Sequence, residues 1–203
     1  MWQSNKVRLE NLPFCQIPLA NAATALAAVE QLPFDISVET IKRSLIEVEL
    51  VGRFQQLKGN QLEKLADRLN VSYSQLPKVI IDVGHNPHAA KYLAEKLTTL
   101  KTQISGRIIA VCGMLKDKDA ESVFIQLTFI IDQWHCVTLG GYRGQSGDDL
   151  NAKLTSVYPS AKSVSEDSVA EGVQSAVKNA DKNDIVLVFG SFHTVGEFLE
   201  YLA

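Results

Sequence analysis

Through its second half the chain alternates short aliphatic runs with helical patterns. VIIDV (79–83), RIIAVCG (107–113), WHCVTL (134–139) and DIVLVFG (184–190) are continuous apolar stretches, and AKSVS (161–165) is a weaker fifth. Runs this short, apolar on successive positions, are strands buried on both faces, the signature of a parallel sheet. Helix signals fill the gaps. Asn86 as cap with Pro87 in the first turn follows the first run, and ESVFIQLTFI follows the second. A helix starting near Ser146 follows the third, and capping boxes at Ser168–Glu171 and Thr194–Glu197 open the last two. This alternation predicts a Rossmann-like α/β domain over residues 77–203, a mostly parallel sheet with helices on both faces.

The first 57 residues have a different texture. They hold no strand core but two helical patterns. Asn21 is placed to cap NAATALAAVEQL, whose alanines permit close packing, and Ser37 to cap VETIKRSLI, with Val38, Ile41 and Leu45 on one face. Two helices make a poor independent domain, so this stretch reads as the tail of something larger. Residues 58–76 (KGNQLEKLADRLNVSYSQL) form a polar bridge with a short amphipathic helix through Leu62, Leu65, Ala66 and Leu69, and read as a linker or insertion.

Composition narrows the classes. The 203 residues are 46% hydrophobic and 21% charged, enough to bury a core, and their net charge of −3 offers no general attraction to nucleic acid or an anionic membrane. No apolar run approaches the roughly 20 residues of a spanning helix, and the amino terminus is no signal peptide. The expectation is a cytoplasmic protein with no membrane or nucleic-acid partner. Cys15, Cys112 and Cys136 are odd in number and form no CxxC pair, which favours buried free thiols over redox or zinc roles. The chain contains neither GxxxxGK[ST] nor GxGxxG; GGYRGQSG (140–147) has the wrong spacing, lacks the lysine and reads as a flexible loop.

In a parallel sheet of this kind, ligands sit at the carboxyl ends of the strands. Those ends carry DVGHNPH, GMLKDKD, GGYRG and GSFHT, all polar and glycine-rich. Asp82, His85 and His88 have the donor types of a transition-metal site, provided they converge, which would make a metal-dependent hydrolase. Alternatively, Asp82 accepts hydrogen bonds from a ribose and His85 faces a bound anion, or Asp82 merely caps the turn and the histidines are solvated. Lys116 and Lys118 sit among acids, as phosphate contacts or as a solvated loop. Arg53 in VGRFQ offers a rigid donor fork to phosphate or a structural contact. GSFHTV (190–195) resembles a phosphate or carboxylate cup ahead of a helix amino terminus, or a simple cap. His193 and Ser191 stand too close in sequence to form a nucleophile–base pair, which disfavours a serine hydrolase. A non-catalytic nucleotide-binding module is also compatible with a bare α/β fold.

Several stretches taken together resemble one family. IPLANAATALAA, VGRFQ, VIIDVGHNPHAA, VCGMLKDKDAESVF and DIVLVFGSFHTVGEFL are similar, in order and character, to the bifunctional dihydrofolate synthase/folylpolyglutamate synthases, ATP-dependent amide ligases of the Mur-ligase-like group. The likeness runs from about Leu12 to the carboxyl terminus. It implies that residues 1–57 are the end of a central ATPase domain, whose phosphate loop and Mg2+ ligands lie in a missing amino-terminal part, and that residues 77–203 are the ligase domain. It implies ATP contacts for Asn21, Arg53 and Asp82, and positions near the incoming L-glutamate for His85 and Ser191. It assigns no role to His88, Lys116 or Lys118, and no residue of this chain a confident catalytic role. The implied reaction is phosphorylation of a dihydropteroate or folate carboxylate by ATP, followed by attack of the glutamate amine on the acyl phosphate. The chain by itself is expected to be inactive. Ala20 and Val51 stand where the family usually has proline, and an extra segment separates GRF from DVGHNP.

Overall fold

The computed structural model describes residues 1–15 and 17–203, and the chain divides after Arg53 into two units, Met1–Arg53 and Phe54–Ala203. In the first unit, β1 (Trp2–Gln3) pairs antiparallel with β2 (Arg8–Leu9), followed by helices α1 (Leu19–Val29) and α2 (Val38–Glu47). Ser37 caps α2 as expected, its hydroxyl accepting the Thr40 N–H at 3.1 Å. Asn21 does not cap α1. The helix starts two residues before it, and Pro18 occupies the N-cap position with its carbonyl accepting the Asn21 and Ala22 N–H groups. Proline's fixed φ and missing N–H suit it to a helix entrance, leaving Asn21 exposed in the first turn. Ala22, Leu26 and Leu45 are buried, whereas Phe14, Leu19, Phe34 and Ile46 stay largely exposed. An apolar cleft of about 250 Å³ remains between the two helices, lined among others by Ala25, Leu26, Val29, Ile41, Leu45 and Val48.

The second unit runs β3 (Gln55–Gln56), α3 (Asn60–Leu69), a 3-10 turn (Tyr73–Gln75), β4 (Lys78–Asp82), α4 (Pro87–Lys101), β5 (Ile108–Cys112) and α5 (Ala120–Leu127). It continues with β6 (Gln133–Val137), α6 (Gly147–Val157), β7 (Ser163–Glu166), α7 (Val169–Lys178), β8 (Ile185–Phe189) and α8 (Phe192–Tyr201). The sheet order is β3-β4-β8-β5-β6-β7, with every pair parallel except β3 on β4. The last strand in sequence is thus a central one, with all five of its residues buried.

Strand periodicity sorts the core into two layers. Val79, Ile81, Val111 and Val188 face α3, α7 and α8, while Ile80, Ala110, Leu187 and Phe189 face α4, α5 and α6. On the second face the Phe124 and Trp134 rings meet edge to face at 5.3 Å. Residues 54–76 belong to this unit and do not form a bridge between units. Leu57 and Leu65 are wholly buried, and Ala66 and Leu69 nearly so, in the layer that also holds α7 and α8. The polar half of α3 that suggests a linker is simply its solvent face.

A buried carboxylate ties the amino ends of β5 and β8 together. Asp184 accepts the Arg107 N–H at 2.6 Å, the Arg107 Nη2–H at 2.8 Å and the Asp181 N–H at 3.0 Å. Burial pushes its carboxyl up, but these donors outweigh it and hold it below the ordinary carboxylate value. A depressed folded pKa contributes stability that is present above the unfolded value, about 3.9, and is lost as pH falls through the folded one. Asp184→Asn should lower the unfolding free energy at neutral pH by about 1–3 kcal/mol and flatten the acid limb of a urea-midpoint-against-pH curve. Thiols divide similarly by burial: it pushes Cys136 up to about 12 and Cys112 well above its usual range. A colorimetric thiol assay should therefore titrate Cys15 in the native protein, and the other two only after unfolding.

Candidate functional site

The polar residues that the sequence places after each strand gather along one edge of the sheet. At the end of β4, Asp82 is 8% exposed, its Oδ1 accepting the Gly84 N–H at 2.7 Å and its Oδ2 the Phe54 N–H at 2.8 Å. A Cβ on Gly84 would lie 2.7 Å from Asp82 Oδ1 and 3.1 Å from Ala89 Cβ, so the turn requires glycine. His85 follows, half-buried, with Nδ1 2.9 Å from the Val83 carbonyl oxygen. Asn86 then caps α4 through the Ala89 N–H, with Pro87 in the first turn. His88 is exposed on that turn. Asp82, His85 and His88 do not form a metal-holding group; no cluster of three or more His, Cys, Asp or Glu with that capacity occurs among the described residues.

At the end of β8, Gly190 has φ +113°, and a Cβ there would meet the Gly113 carbonyl oxygen at 2.5 Å. This left-handed residue turns the chain so that Ser191 becomes the N-cap of α8, accepting the Thr194 N–H at 2.9 Å. The expected Thr194–Glu197 capping box is not formed. The cap lies three residues earlier, and Thr194 turns fully inward to donate to the Gly113 carbonyl at 2.6 Å. Partial burial raises the Glu197 carboxyl, with His193 opposing the shift.

The β5 and β6 ends are locked to each other. The Lys116 N–H donates to the Arg143 carbonyl at 3.0 Å, and buried Gln145 donates through Nε2 to the Met114 carbonyl at 2.8 Å while accepting from Lys153 at 2.9 Å. Arg143 grips Asp117 with Nε and Nη2, and Lys118 adds a contact at 3.1 Å; these cations hold the Asp117 carboxyl well below its usual range. Lys116 lies 4.8 Å over the exposed Tyr142 ring. GGYRGQSG is thus a turn pinned to its neighbour. Sequence reasoning missed Gln145, Thr194 as an inward donor, and the buried contact of His135 Nδ1 with Glu166 at 3.0 Å. None of these leaves a periodic or spacing signal, because each depends on a partner 31 or more residues away.

Of the residues singled out from sequence, Asp82 and His85 stand at the end of β4, and Ser191 at the end of its neighbour β8, where Asp82 and Phe189 are register partners. Asn21 and Arg53 belong to the first unit, both exposed.

A family model described as Mur ligase, glutamate ligase domain matches residues 67–192, more than half of the chain. Over 197 residues the chain is 69% identical to the dihydrofolate synthase/folylpolyglutamate synthase of Haemophilus influenzae, covering 97% of this chain and 45% of that protein. Among solved structures, E. coli FolC in complex with DHPP and ADP aligns with a TM-score of 0.80 at 37% identity, over 98% of this chain and 42% of that one. A bifunctional folylpolyglutamate synthase/dihydrofolate synthase with Mn, AMPPNP and L-glutamate bound aligns with a TM-score of 0.78 at 36% identity, over 98% and 43%. The chain spans less than half the length of the relatives it matches.

Removing the Thr194 hydroxyl leaves the buried Gly113 carbonyl without this donor. Thr194→Val should cost about 1–3 kcal/mol by urea unfolding, and Thr194→Ser should recover most of it; equal losses for both would assign the effect to packing of the methyl group.

Proposed function

The chain belongs to the Mur ligase family, and from that premise we propose that it is part of an ATP-dependent amide ligase that adds L-glutamate to dihydropteroate, to folates as polyglutamates, or to both. The observation that carries this reading is the 69% identity to a dihydrofolate synthase/folylpolyglutamate synthase along 97% of the chain. The strand-end geometry supports it: the β4 and β8 ends, on neighbouring strands, hold Asp82, His85 and Ser191 at the edge where α/β sheets bind ligands.

In this reading residues 1–53 are the end of the ATPase domain and 54–203 the glutamate ligase domain. Asn21, Arg53 and Asp82 contact ATP; His85 places the incoming glutamate directly, and Ser191 does so through the shape it gives the β8 end. ATP supplies the phosphoryl group: a carboxylate oxygen of the pteroate or folate attacks its γ-phosphorus, the bond to the β,γ-bridging oxygen breaks, and ADP leaves as the acyl phosphate forms. The amine of glutamate then adds to the acyl carbon, and the tetrahedral intermediate expels phosphate as the amide forms. A divalent ion, Mg2+ by expectation, would neutralise charge on the phosphates during the first step. The described residues of this chain form no cluster fit to hold it. In this reading the ligands of that ion, and a phosphate loop, are supplied by another part of the enzyme. The apolar cleft between α1 and α2, about 250 Å³, is the surface on which that ATPase part packs. The compartment consistent with folate chemistry of this kind is the cytoplasm.

Alone, the chain should show no ADP formation with ATP, L-glutamate and dihydropteroate. Mixed with a complementary ATPase portion taken from a relative, it should turn over, and Leu26→Asp in the cleft should abolish that rescue while leaving the thermal transition of the Phe54–Ala203 unit in place. Brisk ADP formation by the isolated chain, or a reconstituted mixture that hydrolyses ATP without using glutamate, would overturn the ligase reading.

A further inference from the structure

Hydrogen-bond direction can be assigned at the β4 and β8 ends, because carbonyl and carboxylate oxygens only accept. Thr194 has one hydroxyl proton, and it goes to the Gly113 carbonyl. In the 2.8 Å contact between the two hydroxyls, Ser191 is therefore the donor. Ser191 Oγ also accepts the Thr194 N–H. Both hydroxyl protons are committed inside the protein, and Ser191, 3% exposed, holds the shape of the turn. Asp82 accepts two backbone N–H groups. The same rule fixes the imidazole. His85 Nδ1 lies 2.9 Å from the Val83 carbonyl oxygen, so Nδ1 carries the proton. In the neutral ring Nε2 then presents a lone pair, and it has no hydrogen-bond partner among the described residues.

Among Asp82, His85, Ser191 and Thr194, His85 is thus the one half-buried side chain that still offers an unpartnered acceptor. Asp82, His85, Ser191 and Thr194 include no lysine or arginine, the side chains that grip a carboxylate. We propose that His85 Nε2 is the proton acceptor for the α-ammonium group of the incoming amino acid. One ammonium N–H bond breaks, the proton passes to Nε2, and the electron pair stays on nitrogen to attack the acyl carbon. The resulting imidazolium keeps its Nδ1–H on the Val83 carbonyl, which fixes ring orientation. Ser191 is a positioning residue that shapes the neighbouring strand end. The nature of the amino acid rests on the ligase reading; the tautomer does not.

The test uses the whole chain labelled with 15N-histidine, the His85 signals being identified by their loss in His85→Gln. In the neutral state the expected spectrum has a protonated Nδ1 and a lone-pair-bearing Nε2. L-Glutamate should move the Nε2 resonance, and glutarate, which has both carboxylates and no amine, should move it several-fold less. A proton on Nε2 in the neutral ring overturns the proposal, as does an equal response to glutarate. Absence of any response to L-glutamate overturns it too, yet leaves the ligase reading standing if the reconstituted enzyme turns over. In that reconstituted enzyme His85→Gln should lower kcat by about 100-fold or more with the KM for ATP unchanged; an altered KM with kcat retained would reduce His85 to a binding contact.

Discussion

The insertion of β8 between β4 and β5 is the constraint on which the rest of the structure depends. Ile185–Phe189 pairs along its full length with Lys78–Asp82 on one side and Ile108–Cys112 on the other. Without it the sheet separates into an edge pair and a three-stranded remnant, and both helical layers lose the surface they cover. Such pairing closes a chain segment of about a hundred residues and carries the loop-closure cost that makes parallel sheets slow to assemble. The molecule braces this strand at both ends. At the amino end Asp184 draws in Arg107 and Asp181; at the carboxyl end Thr194 and the Gly190 turn hold it against Gly113.

That carboxyl-end brace also shapes the candidate site. Gly190 lets β8 approach the β5 end closely, Ser191 closes the first turn of α8, and the reversal leaves the β4 end as a neighbour. On β4, the Gly84 turn lets Asp82 fold its carboxylate back onto the backbone and carries His85 to the edge. The polar side chains here are mostly occupied by the backbone and by one another, which fixes the shape of this edge. Fold stability and the shape of the candidate site therefore draw on the same hydrogen bonds.

Much of the fold was legible because the signals are local. Continuous apolar runs marked β4, β5, β6 and β8, and Ser37, Asn86, Ser146 and Ser168 announced helices that form with those residues as caps. The misplacements have local competitors as their cause. Pro18 took the helix entrance from Asn21, and Ser191 took it from Thr194 once Gly190 had turned the chain. Residues 58–76 looked like a linker because an amphipathic helix shows a polar face to any reader who cannot see what its leucines touch. Gln145 and the His135–Glu166 contact could not be read at all, since each is defined by a partner brought close only by the sheet.

By itself the sequence determined the element order and the doubly covered parallel sheet, because period, capping and apolar runs are set within a few residues. It also carried the likeness to the folate ligases, through motifs that lie far apart. Tertiary structure alone decided the strand order that puts β8 beside β4, the directions of the hydrogen bonds at that edge and hence which nitrogen of His85 carries the proton in the neutral ring. Those depend on contacts between residues dozens of positions apart, and a carbonyl that can only accept becomes informative once its donor is known.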